Sequence, residues 1–193
     1  METPKKLGNA VLTTVNLGGK ETACEGAAKR AWELGVTPII LSIDLEGEAR
    51  EVGTVLAGIS EQICNFDKPF KAPCALISGG ETTVKLAKSN GKGGPNQEFI
   101  LGFARKIDGS PRIAVGSIGT DGSDGPTRIA GGVADGFSLK RAKKMGISLL
   151  NNLKRHDSAS VLEILKDVVK TGATGTNVMD LRVIYIEQAK KDK

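Results

Sequence analysis

The residues best suited to chemistry lie in the stretch 119-GTDGSDGPT-127. Asp121 and Asp124 stand three residues apart among three glycines, and the hydroxyls of Thr120 and Thr127 flank them. Glycine allows the backbone to approach a ligand closely, and carboxylate oxygens are ligands that Mg²⁺ prefers. The stretch therefore predicts a site for a magnesium ion or a polyol substrate, with a cluster of Asx turns without function as the alternative.

A second glycine loop, 78-SGGETT-83, follows an apolar run. Its glycine pair allows a sharp turn and leaves N–H groups free to face a ligand, with Glu81 and Thr82 held above it. The alternative is a tight turn from a strand into a ribbon, for which glycine pairs are common. The loop is therefore a candidate binding element of low specificity.

The third loop, 91-GKGGPNQE-98, opens a predicted helix, with Asn96 as its N-cap and Glu98 as an acid in the first turn. Free N–H groups and the helix dipole make such a start an anion site. Ordinary capping explains the same residues, because Glu98 already complements the positive end of the helix. Both interpretations stay open at the level of the sequence.

Other catalytic signatures are absent. The sequence has no G-x-x-x-x-G-K-[ST], G-x-S-x-G or H-E-x-x-H motif, and no G-x-G-x-x-G after a strand. Cys24, Cys64 and Cys74 lie far apart, and the single histidine, His156, cannot complete a zinc site with them. The charged run 154-KRHDS-158 predicts that His156 is solvated and takes no part in catalysis.

Composition narrows the fold class and the partners. Of the 193 residues, 39% are hydrophobic but only 4% aromatic, so aliphatic side chains must form the core, as in sheets flanked by helices. The net charge of +5 is spread along the chain without an aromatic-basic module, so we expect no nucleic-acid partner. No signal peptide or apolar run of membrane-spanning length occurs, so we expect a cytoplasmic protein without a membrane partner.

Hydrophobic periodicity predicts that strands and helices alternate along the chain. The predicted strands cover 9–15, 36–43, 74–80, 111–119 and 181–187, and the predicted helices cover 20–35, 45–65, 96–107, 137–146 and 158–169. A polar strand or ribbon is expected over 81–94. This alternation indicates an α/β fold with a mixed or mostly parallel sheet covered by helices. If the sheet is parallel, the three loops and a fourth at 171–180 meet at one edge.

Several longer motifs resemble a known family. They are similar, in order and spacing, to the C-terminal half of the class II glycerate 2-kinases, including their MOFRL domain. The motifs are 46-EGEAREVG-53, 77-ISGGETTV-84, 93-GGPNQEF-99, 119-GTDGSDGPT-127 and 173-ATGTNV-178. By this resemblance, residues 1–70 are the end of the kinase N-terminal domain and residues 71–193 are a MOFRL-like domain.

The resemblance implies an activity and its cofactors. The family transfers the γ-phosphoryl group of ATP to the 2-hydroxyl of D-glycerate with the help of Mg²⁺, a reaction that depends on positioning and charge neutralisation. A non-catalytic module that binds a small anion or a nucleotide is the alternative. A hydroxypyruvate reductase is less favoured, because the chain has no dinucleotide fingerprint.

The resemblance also implies roles for individual residues. Asp121, Asp124 and Glu81 are the implied catalytic residues, and Asp121 and Asp124 are also the implied metal ligands. The implied substrate-binding or phosphate-binding residues are Ser78, Gly79, Gly80, Thr82, Asn96, Gln97, Glu98, Thr120 and Arg128.

The sequence departs from the family in two ways. Pro95 stands where the family commonly has an arginine, and Arg128 stands where it has an acid, so Arg128 is expected to supply the missing positive charge. Family members also have an N-terminal half with a lysine in a Gly-Lys-Ala context, which is absent here. We therefore expect the C-terminal half of an active unit, completed by an N-terminal kinase-domain partner. Self-association through uncovered apolar surface in residues 9–65 is the other expectation.

Overall fold

A computed structural model describes residue 15, residues 18–86 and residues 91–189. The helices in this part of the chain are α1 (Lys20–Glu33), α2 (Ala49–Phe66), α3 (Pro95–Lys106), α4 (Ser138–Lys144), α5 (Leu149–Lys154) and α6 (Ser158–Leu165). The strands are β1 (Thr37–Ser42), β2 (Cys74–Gly80), β3 (Ile113–Gly119), β4 (Gly131–Asp135), β5 (Val168–Val169) and β6 (Asp180–Ile186). None of these helices is long and apolar enough to cross a membrane.

The described strands form one mixed sheet in the order β1-β2-β6-β3-β4-β5. β1 and β2 are parallel, whereas each of the other neighbouring pairs is antiparallel. β6 enters between β2 and β3, so that Asp180 at its start lies opposite Gly80 and Gly119 at their ends. The expected α/β fold is confirmed, and the sheet is mixed rather than mostly parallel.

Helix α3 occupies the centre of the helical layer and carries part of the site. It packs against α2, β3 and β4, and its Phe99 and Phe103 side chains are fully buried. Burial of side chains of this size stabilises the fold by about 1.5–3 kcal/mol each. α3 approaches α2 closely because Gly53 has no side chain: a Cβ there would lie 2.4 Å from the Phe99 carbonyl oxygen. This close contact fixes where the first turn of α3 lies.

The sequence analysis does not predict β4, α5 or β5. These elements have only two to six residues each, and β4 begins with two glycines, so none of them shows a clear hydrophobic period. The helix predicted over 158–169 is too long. It ends at Leu165 because Lys166 adopts a left-handed φ of 61°, which turns the chain into β5.

Two further predictions concern segments beside the site. The polar strand or ribbon expected over 81–94 is reduced, in the described part of that range, to a bridge between Thr83 and Glu48. The strand predicted over 9–15 lies, apart from Val15, outside the described residues.

Candidate active site at the sheet edge

Three of the glycine loops and the start of α3 meet where β2 and β3 end and β6 begins. They surround an open cavity of about 210 Å³, the edge cavity, with Pro95 of α3 in its lining. The polar side chains that line it are Glu81, Thr82, Thr120, Asp121, Ser123, Asp124, Asn177 and Asp180. The loop at 171–180 precedes β6, which runs antiparallel to β2 and β3. The start of β6 therefore lies at the same sheet edge as the ends of β2 and β3, and the loops meet there although the sheet is mixed.

Asp124 is held by the first turn of α3. Its Oδ1 accepts hydrogen bonds from the backbone N of Asn96 at 3.0 Å and from Asn96 Nδ2 at 3.1 Å, and its Oδ2 accepts one from the backbone N of Gln97 at 2.9 Å. The side chain is almost inaccessible, since Asp124 is 3% exposed. Burial raises the pKa of Asp124, and the hydrogen bonds from the helix start oppose that shift. The anion at this helix start is therefore an internal carboxylate.

A chain of buried polar groups continues from Asn96 across the sheet edge. Ser117 Oγ donates to Asn96 Oδ1 at 2.5 Å, and Asn96 Nδ2 donates to Asp180 Oδ1 at 2.7 Å. Asp180 Oδ2 in turn accepts from Arg182 Nη2 at 2.7 Å, and the same nitrogen donates to Thr82 Oγ1 at 2.9 Å. These bonds link β2, β3, β6 and α3 into one network directly behind the edge cavity.

Arg182, like Ser117 and Asp180, is a residue of this network that the sequence analysis does not assign to the site. It is fully buried in β6, and its guanidinium carbon lies 5.3 Å from the centre of the Phe99 ring. Burial lowers the pKa of Arg182, and the charge of Asp180 opposes that shift. The sequence indicates this buried arginine only weakly. Arg182 stands at an inward position of an otherwise apolar strand, two residues after Asp180.

Glu98 and His156 form a second buried polar pair on the other side of Pro95. Glu98 Oε1 and His156 Nδ1 lie 2.7 Å apart, and the two residues are 1% and 6% exposed. The prediction that His156 is solvated is therefore wrong. His156 has a left-handed φ of 55°, which turns its ring inward while the neighbouring Lys154 and Arg155 stay exposed.

A cavity of about 280 Å³, the His156 cavity, adjoins this pair. Its lining includes both side chains, and it shares Pro95 and Gly125 with the lining of the edge cavity. The two cavities are therefore neighbours on either side of the first turn of α3.

The other residues singled out in the sequence are placed differently. Ser78 and Gly79 are buried within β2 and do not line the edge cavity, whereas Gly80 ends that strand next to it. The side chain of Gln97 turns to Thr127, whose Oγ1 accepts from Gln97 Nε2 at 3.0 Å. Arg128 is exposed and does not belong to the lining. The following residues of the predicted site do line the edge cavity: Glu81, Thr82, Thr120, Asp121 and Asp124.

The carboxylates of the edge cavity differ in how far they are already hydrogen-bonded. Both oxygens of Asp124 already accept hydrogen bonds from the first turn of α3. Asp121 Oδ1 accepts from the backbone N and Oγ of Ser123, at 2.8 and 3.0 Å. Within the described part of the chain, Asp121 Oδ2 and the Glu81 carboxylate accept no hydrogen bond. These two groups fit Mg²⁺, which proteins commonly bind through one or two carboxylates plus substrate phosphates.

Comparison with known proteins identifies the family to which the chain is similar. The model of the MOFRL family matches residues 74–180. D-glycerate 2-kinase of Thermotoga maritima is 42% identical over 93% of this chain, and a putative hydroxypyruvate reductase of Agrobacterium vitis is 44% identical over 85% of it. The crystal structure of glycerate kinase from Thermotoga maritima superimposes with a TM-score of 0.87 over 96% of this chain, at 39% identity.

The matches cover much less of the relatives than of this chain. The chain spans 42% and 43% of the length of the two relatives and 47% of the crystallised chain. The family model, by contrast, covers more than half of this chain. The resemblance inferred from the motifs is thus confirmed. The chain belongs to the MOFRL family and corresponds to the C-terminal region of the glycerate kinases.

Proposed function

We propose that the chain forms the C-terminal part of a glycerate 2-kinase, which transfers the γ-phosphoryl group of ATP to the 2-hydroxyl of D-glycerate. The observation that carries this proposal is its 42% identity, over 93% of its length, to a D-glycerate 2-kinase. The loops that carry the family-like motifs 77–84 and 119–127 contribute residues to the lining of the edge cavity. Open α/β sheets bind ligands at such edges.

In this proposal Asp121 and Glu81 hold Mg²⁺ in the edge cavity. Mg²⁺, when bound, neutralises charge on the phosphate groups. The chain itself fixes where those carboxylates lie: Thr120 Oγ1 donates to the Met179 carbonyl at 2.7 Å and accepts from the backbone N of Val178 at 2.8 Å. The role of Thr120 is therefore to tie the loop at 119–127 to the loop before β6, and Asp124 ties the same loop to α3.

The charge of the edge cavity explains why a second component is needed. Among the described residues that line it, four are acidic and none is positively charged. A nucleotide triphosphate brings further negative charge, which Mg²⁺ alone only partly offsets. Pro95, at the position where the resemblance implies that the family commonly has an arginine, lines the cavity. We infer that the remaining positive charge comes from the part of the kinase that lies outside this match.

We propose that this remaining part packs against α1 and β1. Residues 1–70 then form the end of the N-terminal domain and residues 71–193 the MOFRL-like domain, with the family match starting at residue 74. β1 pairs with β2 across this boundary, so the two parts share one sheet. The large apolar side chains of Trp32, Leu34 and Ile40 are 70%, 63% and 42% exposed, which suits a surface that a second domain covers.

The proposal is tested by release of ADP from ATP in the presence of D-glycerate and Mg²⁺. The 193-residue chain is assayed alone and with the separately produced N-terminal region of the Thermotoga maritima kinase. We expect turnover only in the mixture, and at least about tenfold less with Asp121→Asn. Asp108→Asn, an exposed aspartate away from both cavities, is the matched control and should leave the rate unchanged. A mixture that forms a complex but gives no turnover above background contradicts the proposal.

A further inference from the structure

The buried pair of Glu98 and His156 has hydrogen-bonding capacity that the protein does not use. Glu98 Oε1 is engaged by His156 Nδ1 at 2.7 Å, but the buried Oε2 of Glu98 has no hydrogen-bond partner. His156 Nε2 likewise has no partner among the described residues. Buried polar atoms without partners are rare in folded proteins, and each calls for water, an ion or a ligand.

Both side chains line the His156 cavity. Among the described residues that line the His156 cavity, only Glu98 and His156 have polar side chains. The remaining lining is glycine, proline and two aliphatic side chains, Val84 and Leu86. A molecule in this cavity of about 280 Å³ would therefore be oriented by one carboxyl oxygen and one imidazole nitrogen.

Glu98 Oε2 and His156 Nε2, which have no hydrogen-bond partner among the described residues, determine which chemical groups a ligand can place beside them. If His156 is neutral with its proton on Nδ1, then Nε2 and the Glu98 carboxylate oxygen are both acceptors. If His156 is protonated, Nε2 becomes a donor beside that acceptor. A hydroxyl group both donates and accepts, so it suits either state, whereas a carboxylate or phosphate oxygen would be repelled by Glu98.

We propose that the His156 cavity binds hydroxyl groups of a small polyhydroxy acid, one at Glu98 Oε2 and one at His156 Nε2. The inference rests on the proposed function, which supplies D-glycerate as such a compound. The edge cavity lies next to this site, since Pro95 and Gly125 line both. A ligand held by its hydroxyls at the pair is thus placed beside the carboxylates that hold Mg²⁺.

The test uses His156 as a reporter, because it is the only histidine in the sequence. The full chain, without a histidine tag, is labelled with ¹³C-histidine, and the single Cε1–Hε1 signal is followed by NMR during titration with D-glycerate. We expect a saturable shift, and binding of D-lactate, which lacks one hydroxyl, at least about tenfold weaker. If water alone fills the cavity, the signal does not move. No shift, or an equal response to D-lactate, overturns the proposal.

Two variants connect the signal to the pair. Glu98→Gln keeps the shape of the side chain but removes its charge, so D-glycerate should bind about tenfold more weakly. Glu163→Gln, at an exposed position on α6, is the matched control and should leave the titration unchanged. If Glu98→Gln does not fold, as judged by circular dichroism, the wild-type comparison of D-glycerate with D-lactate decides by itself.

This inference and the proposed function fail in different ways. A selective shift at His156 without ADP release in the kinase mixture supports the hydroxyl site and counts against phosphoryl transfer. Turnover of D-glycerate in the mixture with an unmoved His156 signal, measured in the same mixture, overturns the hydroxyl site and leaves phosphoryl transfer supported.

Discussion

Asp124 and Glu98 are two acids with nearly equal burial and very different surroundings. Asp124 is 3% exposed and its two oxygens accept hydrogen bonds from two backbone N–H groups and one side-chain amide. Glu98 is 1% exposed, and only one of its oxygens has a partner, the ring of His156. The first carboxyl is completely satisfied by the fold, and the second is only half satisfied.

This difference separates what holds the site from what binds in it. Buried hydrogen-bonded carboxylates fix the elements that donate to them, here the start of α3 and the loop at 119–127. A half-satisfied carboxyl next to a cavity contributes less to stability and keeps one oxygen for a ligand. Asp124 lies in the motif 119–127 and Glu98 in the motif 93–99. The motifs do not show how the two acids differ, since the difference depends on which donors the fold brings to each.

The largest expected effect follows removal of the Asp124 carboxyl. Asp124→Ala leaves two N–H groups of α3 and the Asn96 amide without their acceptor, so the free energy of unfolding should fall by about 3–5 kcal/mol in urea denaturation. Asp121→Ala removes an acceptor only from Ser123 in its own loop, and should cost less than about 1 kcal/mol. Equal losses of unfolding free energy in Asp124→Ala and Asp121→Ala would show that the Asp124 carboxyl does not hold the start of α3.

A second test removes the cation behind the edge cavity. Arg182→Met leaves Asp180, whose side chain is 13% exposed, without its ionic partner and should destabilise the chain by about 3 kcal/mol. Adding Asp180→Asn should recover about 1–2 kcal/mol, because the unpaired charge is then absent. Urea denaturation of the two single variants and the double variant measures this coupling. Strictly additive losses would show that the two residues do not act as one network.

Two glycine-to-alanine substitutions in α2 test the position of α3, on which both acids depend. Gly53→Ala places a Cβ 2.4 Å from the Phe99 carbonyl oxygen and should cost about 2 kcal/mol. Gly58→Ala, on the same helix but with open space around it, should be neutral or stabilising by about 0.5–1 kcal/mol. Thermal or urea unfolding of the pair checks the order. Similar effects at both positions would mean that the contact between α2 and α3 is not tight.

The smallest expected effect is a pH dependence due to Glu98. Burial raises its pKa above the ordinary value of 4.5, and the hydrogen bond with His156 opposes the shift. The folded chain then binds this proton more tightly than the unfolded chain, so the free energy of unfolding falls as the pH rises from 4.5 through the raised value.

Glu98→Gln cannot titrate, so its stability relative to the wild type should improve across that window. Urea denaturation of both proteins at a series of pH values above 4.5 measures the difference. A difference that stays constant over the series would mean that the folded chain leaves Glu98 with its ordinary affinity for a proton.

The fold was predictable where an element is a long or continuously apolar run. The run 74–80 is predicted with its observed bounds, and β3 and β6 with shifts of one or two residues, because buried strands in this chain are continuous aliphatic runs. β4 and β5 escape prediction because they are short and are formed through pairing with neighbours distant in sequence. The hydrophobic pattern of a short segment does not indicate pairing with strands that are distant in the sequence.

For the site, the sequence indicates which loops meet but not what each side chain does there. Asp121 and Glu81 are predicted and line the edge cavity. The burial of His156 depends on one left-handed residue in a charged run, and that of Arg182 on contacts with Thr82 and Phe99, which are distant in the sequence. Both are consequences of tertiary packing, which neither composition nor spacing reveals.

The most direct test of the central claim, that the edge cavity is the magnesium-dependent part of a phosphoryl-transfer site, is the Mg²⁺ dependence of ADP release. The chain, mixed with the Thermotoga maritima N-terminal region, is titrated with Mg²⁺ at fixed ATP and D-glycerate, for wild type, Asp121→Asn and Asp108→Asn. We predict that Asp121→Asn raises the Mg²⁺ concentration for half-maximal rate at least about tenfold, while Asp108→Asn matches the wild type. An unchanged Mg²⁺ dependence in Asp121→Asn would contradict the claim.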